Sequence, residues 1–156
     1  MNDEFFLRKA IDLARDGMNS GQGGPFGAVV VRDGVILSAT ANRVIATNDP
    51  TAHAEVVAIR EACARLNSYQ LTGCTLYTSC EPCPMCLGAV YWARPDRIVY
   101  AAFHADAAEA GFDDKFIYDE LDKPRDARSI PMTQLLRADA RAVFAEWVAK
   151  GDKSLY

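Results

Sequence analysis

The alternation of helical and β-strand patterns along this 156-residue chain predicts an α/β layered domain with a mixed sheet. Half of the residues are hydrophobic, which is enough for a sizeable core at this length. Neither an internal repeat nor a low-complexity stretch interrupts the pattern, so we expect one domain rather than several.

The first part of the chain has the pattern of a helix followed by a hairpin. Apolar residues at helical spacing predict an amphipathic helix over 3–19. Two β-branched and apolar runs, 26–31 and 35–39, are separated by Asp33-Gly34, a dipeptide typical of tight hairpin turns. We therefore expect two neighbouring antiparallel strands directly after the first helix.

Helices and strands continue to alternate after the hairpin. Helical spacing predicts a second helix over 52–66, with Thr51 as its N-cap. The later predicted elements are a strand over 74–78, a helix over 83–93, a strand over 97–103, a short helix over 113–121 and a longer helix over 139–150. Pro124 and Pro131 bracket the segment that connects the last two helices.

Charge and composition narrow the classes of partner. The formal net charge is −4, the sequence pI is about 5.1 and no run of lysines and arginines occurs, so nucleic acid is not an expected partner. No apolar run approaches the roughly 18 residues of a membrane helix. The acidic start of the chain, 1–4, lacks the positive region of a secretory signal, which predicts a cytoplasmic protein. There, cysteines are expected to be thiols or metal ligands rather than disulfides.

Two short motifs supply the ligands of a metal site. His53 is followed two residues later by Glu55, and the segment Pro-Cys-Pro-Met-Cys at 82–86 carries Cys83 and Cys86. Residues three apart share one face of a helix, so both thiolates can reach one ion, and a helix N-terminus favours the thiolate form. Three protein ligands leave the fourth tetrahedral position of zinc open for water, which is typical of catalytic zinc.

Other interpretations of these motifs explain fewer of the residues. A Cys-x-x-Cys pair can be redox-active, but that use leaves His53 and Glu55 without a role, and a zinc ribbon requires a second cysteine pair. A zinc-stabilised interaction module without activity gains nothing from a non-ligand carboxylate beside the metal. The remaining cysteines, Cys63 and Cys74, are expected to be buried apolar side chains, and for Cys80 we also favour packing over ligation.

The combined signature His-x-Glu and Pro-Cys-x-x-Cys is that of the zinc nucleobase deaminases. Beyond it, the chain resembles the bacterial guanine deaminases of the cytidine deaminase-like superfamily. The segments that carry this resemblance are Gly-Gly-Pro-Phe-Gly-Ala at 23–28, Asn-Asp-Pro-Thr-Ala-His-Ala-Glu at 48–55, Tyr-Thr-Ser-Cys-Glu-Pro-Cys-Pro-Met-Cys at 77–86 and Asp-Ala-Ala-Glu-Ala-Gly-Phe-Asp-Asp at 106–114. The first three also resemble tRNA adenosine deaminases and cytosine deaminases, whereas the fourth is a feature of guanine deaminases.

The resemblance implies a single domain over 1–156 with a three-layer α/β/α fold and a mixed sheet of about five strands. It implies hydrolytic deamination of guanine, a small-molecule purine base, to xanthine and ammonia, within purine breakdown. One zinc ion per subunit would activate a bound water, and the resulting hydroxide would attack C2. Glu55, close to the metal but not bound to it, would shuttle the proton to N3 and then to the leaving ammonia.

The resemblance also implies substrate contacts outside the zinc motifs. Asn42 would hydrogen-bond the purine with help from the Ala54 backbone amide, and Asp114 would be a second catalytic carboxylate near the exocyclic amine. Phe26 and Trp92 can stack on the two faces of the base. From the residues alone, ordinary roles explain the same positions: a turn residue for Asn42, a helix-start acid for Asp114, and core packing for both aromatic residues.

The C-terminal segment would otherwise be expected to fray. The resemblance implies instead that about 132–156 are swapped between the subunits of a homodimer, so that Tyr156 contacts the purine in the partner's site. The enzymatic alternative is a tRNA adenosine deaminase or another nucleobase deaminase, such as a cytosine deaminase, of the same superfamily. A tRNA enzyme requires a positive surface for the phosphate backbone, which the acidic composition disfavours.

Overall fold

The computed structural model describes residues 2–156, which form two compact units. The first unit runs up to Asp114, and the second comprises Lys115–Tyr156. Within 2–156, no helix combines the length and the apolar character needed to cross a membrane. Each unit is described separately below.

The first unit is built on a mixed four-stranded sheet. Its strands are β1 (Gly27–Arg32), β2 (Val35–Ala41), β3 (Cys74–Cys80) and β4 (Arg97–Ala102), arranged in the order β2-β1-β3-β4. The first three strands pair antiparallel, and β3 pairs parallel with β4. The hairpin between β1 and β2 turns at Asp33 and Gly34, both of which have positive φ, as a type I′ turn requires.

Helices cover both faces of this sheet. On one face lies α1 (Asp3–Asn19), and on the other lie α3 (Ala54–Leu66) and α4 (Pro84–Ala93). Two shorter helices, α2 (Val44–Thr47) and α5 (His104–Glu109), follow β2 and β4. The predicted three-layer α/β/α architecture is confirmed, and the layers place the start of α3 and the start of α4 on the same side of the sheet.

The strand β1 shows why the layers form. Its alternate residues Ala28 and Val30 are buried with α3 and α4, whereas Val29 and Val31 are buried with α1. Successive side chains of a strand point to opposite faces, so a continuous apolar run is the pattern of a strand covered on both sides.

The second unit contains α6 (Lys115–Asp122), a short 3-10 helix (Arg125–Ala127) and α7 (Arg137–Ala149). Glu120 of α6 ties the following loop to this helix, because its carboxylate accepts from the Ser129 amide at 2.7 Å and its carbonyl oxygen accepts from the Arg128 side chain at 3.1 Å. No residue of α6 or α7 is buried.

Two details differ from the sequence-based expectations. The sheet in 2–156 has four strands rather than about five, because the chain beyond β4 enters the alanine-rich helix α5 and adds no further strand. The predicted N-cap Thr51 is wrong, since α3 begins after His53. Asp49 accepts hydrogen bonds from both the amide and the hydroxyl of Thr51, which holds that residue in a turn before the helix.

Candidate active site

The three predicted metal ligands converge at the start of two helices. The ligand atoms of His53, Cys83 and Cys86 all lie within 4.8 Å of one another, and the Nδ1 atom of His53 is 3.5 Å from each sulfur. Ligands held at about 2.0 Å (nitrogen) and 2.3 Å (sulfur) from one tetrahedral zinc ion lie about 3.5 Å apart. The residues therefore fit zinc in both donor type and spacing, which agrees with the zinc site predicted from the sequence.

Helix N-termini position these ligands. His53 is the N-cap of α3 and Cys83 is the N-cap of α4, where Pro84 stabilises the first turn. The sulfur of Cys83 accepts a hydrogen bond from the backbone amide of Cys86 at 3.4 Å. The exposed amides of a helix start stabilise negative charge, so this geometry favours a thiolate at Cys83.

Of the two neighbouring thiols, Cys83 is the one whose surroundings favour the thiolate form. The hydrogen bond between the two thiol side chains is the first cause that lowers the pKa of Cys83 to about 4, and His53 contributes further. The same hydrogen bond, followed by burial, raises the pKa of Cys86. The pKa of His53 is raised, first by its hydrogen bond with Cys83. Metal ligation requires the thiolate, and this pairing prepares it.

Glu55 lies beside the ligands but is not a member of the group. It occupies the first turn of α3 and is buried. One carboxyl oxygen contacts the hydroxyl of Thr78 at 3.3 Å, and the other lies 3.5 Å from the sulfur of Cys86. Burial is the main cause that raises its pKa above the ordinary value. A carboxyl group with a raised pKa, next to a metal site, suits general acid–base chemistry.

A cavity of about 280 Å³ opens onto these residues. Its lining contains six of the predicted site residues, namely Phe26, Asn42, His53, Glu55, Cys83 and Asp114. The other lining residues, which the sequence did not single out for this site, are Gly24, Val44, Ile45, Pro50, Cys80, Glu81 and Phe112. The cavity has room for a small planar molecule next to the metal ligands.

Asn42 presents a hydrogen-bond donor to this cavity. The residue is 5% exposed, and its side-chain oxygen accepts a hydrogen bond from the Val44 amide at 3.1 Å. Within 2–156 no fully buried side-chain nitrogen or oxygen lacks a partner, so the unbonded amide nitrogen of Asn42 has to face open space. Gly23 makes this orientation possible, because a Cβ there would lie 2.1 Å from the Asn42 oxygen.

Two further polar groups belong to the same region. Asp114 lines the cavity, and its partial burial is the first cause that raises the pKa of its carboxyl group. Ala54 is fully buried as the first residue of α3, where a backbone amide has no acceptor within its own helix. The site thus combines three possible metal ligands, two carboxyl groups and the hydrogen-bond donors of Asn42 and Ala54.

An aromatic pair forms one wall of the cavity. The rings of Phe26 and Phe112 meet edge to face, with centroids 4.9 Å apart and planes at 85°. Gly24 packs against both rings, since a Cβ there would lie 3.1 Å from Phe26 and 3.2 Å from Phe112. Phe112 was not predicted as a site residue, although it belongs to the segment 106–114, which carries the resemblance to the guanine deaminases.

Two predicted substrate contacts, Trp92 and Tyr156, are exposed side chains, whereas Cys80 lines the cavity. Trp92 is 64% exposed on α4 and is not part of the cavity lining. Tyr156 belongs to the second unit and is 70% exposed. Cys80 is buried, with its thiol 3.6 Å from the Phe103 carbonyl oxygen, and burial first raises its pKa to about 11. This environment agrees with a packing role for Cys80.

Similarity to known proteins covers the whole chain. The cytidine and deoxycytidylate deaminase zinc-binding region matches residues 1–102. Guanine deaminase of Bacillus subtilis is 58% identical over 156 residues, which is 100% of both chains. A solved structure of guanine deaminase from this organism has a TM-score of 0.97 and 58% identity, and the match covers 100% of this chain and 99% of that one.

More distant relatives differ in how much of the chain they match. The structure of guanine deaminase from Nitrosomonas europaea is 33% identical with a TM-score of 0.67, over 93% of this chain and 84% of that one. The tRNA-specific adenosine deaminase of Aquifex aeolicus is 43% identical over 102 residues, which is 65% of this chain and 67% of the relative. Similarity to the guanine deaminases therefore extends further along the chain.

Proposed function

The chain belongs to the cytidine and deoxycytidylate deaminase family of zinc-dependent enzymes, and from this premise we propose that it hydrolyses guanine to xanthine and ammonia. The observation that carries the proposal is the 58% identity to a guanine deaminase over the full length of both chains. The cavity supports it, because a purine base has the size and flat shape that such a space beside the metal ligands accepts.

His53, Cys83 and Cys86 would hold the zinc ion, which when bound lowers the pKa of a ligated water towards about 7. Glu55 would take a proton from the attacking water and deliver it to N3 of guanine. It would then take the proton of the hydroxyl group newly bound to C2 and transfer it to the amino group as the C2–N bond breaks, which leaves the C2 carbonyl of xanthine. Water and guanine are thereby converted to xanthine and ammonia. The position of Glu55 beside, but outside, the ligand group supports this role.

Asn42 would recognise the base through its side-chain nitrogen. Because the side-chain oxygen already accepts from the Val44 amide, the nitrogen is the group left to pair with the base, and as a donor it would select an acceptor on the purine edge. The Ala54 amide would donate to the base in the same way. The aromatic pair Phe26 and Phe112 would contact the flat apolar surface of the ring.

Asn42→Asp is expected to lower kcat/KM for guanine by about tenfold or more, because it replaces the hydrogen-bond donor by a charged acceptor. A buried polar group is then left without a partner in the complex, which costs about 1–3 kcal/mol of binding free energy. Steady-state kinetics on guanine measure the effect. Asn67→Asp, the same substitution at the exposed end of α3, is the matched control and should keep the parental kinetics. Equal kcat/KM values for the two variants would contradict the proposed contact.

Asp114 would pair with the exocyclic amine as it gains positive charge. Asp114→Asn is expected to lower kcat by about 10²-fold, at the low end of general acid–base effects, with retained zinc. The neighbouring Asp113 does not line the cavity, so Asp113→Asn is the matched control and should change kcat less than about twofold. If both variants kept the parental kcat, the role of Asp114 would be wrong.

A tRNA adenosine deaminase is the second candidate, since the Aquifex aeolicus relative shares 43% identity over 102 residues. The net charge of −4 opposes binding to a phosphate backbone. The direct experiment is to incubate the zinc-loaded protein with guanine, adenine, cytosine and a tRNA anticodon stem. We expect xanthine from guanine as the main product. No turnover of guanine, with inosine formed in the tRNA, would replace the proposal by this alternative.

The C-terminal segment would complete the enzyme as part of a homodimer. Val143, Phe144 and Val148 on α7 are all largely exposed, and no residue of that helix is buried within the chain. Apolar side chains on one helix are a mark of an interaction surface. We propose that 132–156 exchange between two subunits of one deaminase domain each, so that Tyr156 reaches the partner's cavity.

The reducing cytoplasm, which suits five free cysteines, is the proposed location of the protein.

Mixed dimers test this exchange. A subunit with Glu55→Gln but an intact Tyr156 is co-expressed with a subunit that has Glu55 and Tyr156→Ala. If Tyr156 acts in trans, one of the two sites is complete, and activity rises well above that of either parent. The control is the heterodimer, isolated through two different affinity tags, of a Glu55→Gln, Tyr156→Ala double variant and the wild-type chain, which has no complete site if Tyr156 acts in trans and one complete site if it acts in cis. A monomer by light scattering, or no gain over the control, would contradict the exchange.

A further inference from the structure

We infer that Thr78 is a positioning residue for catalysis, whose hydroxyl group fixes the carboxyl group of Glu55 in the orientation that proton transfer needs. This inference rests on the proposed function, since it assigns a helper to the proposed proton shuttle. Thr78 does not line the cavity and does not belong to the metal ligands, so it would act only through Glu55.

The hydroxyl of Thr78 has two partners in the interior of the protein. It lies 3.3 Å from one carboxyl oxygen of Glu55 and 2.9 Å from the Cys80 carbonyl oxygen, and the residue is 1% exposed. The hydroxyl has one proton, which the Cys80 carbonyl and the Glu55 carboxyl group share, so the Cys80 contact sets the direction of the contact with Glu55. The hydroxyl thus links the carboxyl group of Glu55 to the sheet.

The strand that carries Thr78 is an internal strand of the sheet. In β3, Thr78 is paired with Ala28 of β1 on one side and with Tyr100 of β4 on the other. Glu55 stands on a different element, α3, and reaches Thr78 across the layer between helix and sheet. The hydroxyl therefore connects a long, flexible side chain to a fixed point of the backbone.

This connection decides where the second carboxyl oxygen of Glu55 lies. With one oxygen held by Thr78, the other is 3.5 Å from the sulfur of Cys86 and faces the metal ligands. Without the hydroxyl, the first oxygen would lose its contact with the sheet, and rotation of the carboxyl group would no longer be opposed from that side. Reactions depend steeply on such placement, because small displacements of a reacting group cost large factors in rate.

Thr78→Val tests the inference, because valine has the shape of threonine without the hydroxyl. We expect kcat for guanine to fall about tenfold, KM to stay within about twofold, and bound zinc to stay unchanged. Thr78→Ser should restore most of kcat. Ser38→Ala is the matched control, since Ser38 also donates a buried hydrogen bond to α3, at 2.8 Å to the Ala58 carbonyl, without touching the site. It should lower thermal stability and leave kcat unchanged.

Crystal structures of the zinc-loaded wild type and of Thr78→Val give a readout that does not depend on the substrate. The expected result is a displaced carboxyl group of Glu55 in the variant. If the wild-type protein does not turn over guanine, only the proposed function is overturned. The role of Thr78 is still tested, because it depends on whether the Glu55 carboxyl group occupies different positions in the wild-type and Thr78→Val structures. Superimposable Glu55 carboxyl groups, or a loss of kcat that serine does not restore, would overturn the inference.

Discussion

Glu55→Gln is expected to lower kcat on guanine by roughly 10³-fold while the protein keeps its full complement of zinc. Glutamine matches the shape of glutamate and can still accept a hydrogen bond from Thr78, but it cannot take a proton from water. Glu55 is outside the ligand group, so its replacement leaves the metal donors intact. Steady-state kinetics and metal analysis of the same preparation measure both quantities.

The matched control for this experiment is Glu61→Gln on the same helix. Glu61 is half exposed and lies 3.6 Å from Arg43, far along α3 from the metal ligands. Its replacement changes the charge of the chain by the same amount as Glu55→Gln and should leave kcat within about twofold. A Glu55→Gln enzyme with near-wild-type kcat would exclude Glu55 as the proton shuttle, whatever the nature of the substrate.

Cys86→Ser is expected to remove both zinc and activity. The sulfur of Cys86 is one of three protein ligands, lies 3.5 Å from the His53 nitrogen and is completely buried. Serine is a poor donor for zinc because its hydroxyl does not ionise near neutral pH, whereas cysteine binds as the thiolate. Zinc per chain, measured on purified protein, should fall from about one to a small fraction, and deamination of guanine should be lost.

The thermal midpoint of unfolding should fall together with zinc occupancy, because a metal that binds only the folded state stabilises it by mass action. Cys63→Ser provides the control, since Cys63 is a free, half-buried cysteine on α3 that is not a member of the ligand group. It should bind zinc as the wild type does. Full zinc occupancy in Cys86→Ser would exclude the proposed ligand set.

Local sequence patterns were sufficient to predict much of the fold and the three metal ligands. The start of α4 shows why: Cys83 and Cys86 are three residues apart, and the helix alone places their sulfurs on the same side. The hairpin at Asp33 and Gly34 is equally local, because the turn geometry needs residues that tolerate positive φ. Such features depend on neighbours within a few positions, so they can be recognised before any tertiary contact is known.

Contacts between distant segments could be found only in three dimensions. Phe112 meets Phe26, and Thr78 meets Glu55, across separations in the chain that no periodicity encodes. The orientation of the Asn42 side-chain amide likewise depends on the space that Gly23 leaves beside it. The four-stranded sheet belongs to this class, because strand number is set by which segments pair. Residue spacing specifies chemistry within an element, whereas packing between elements specifies how that chemistry is oriented and which substrate it meets.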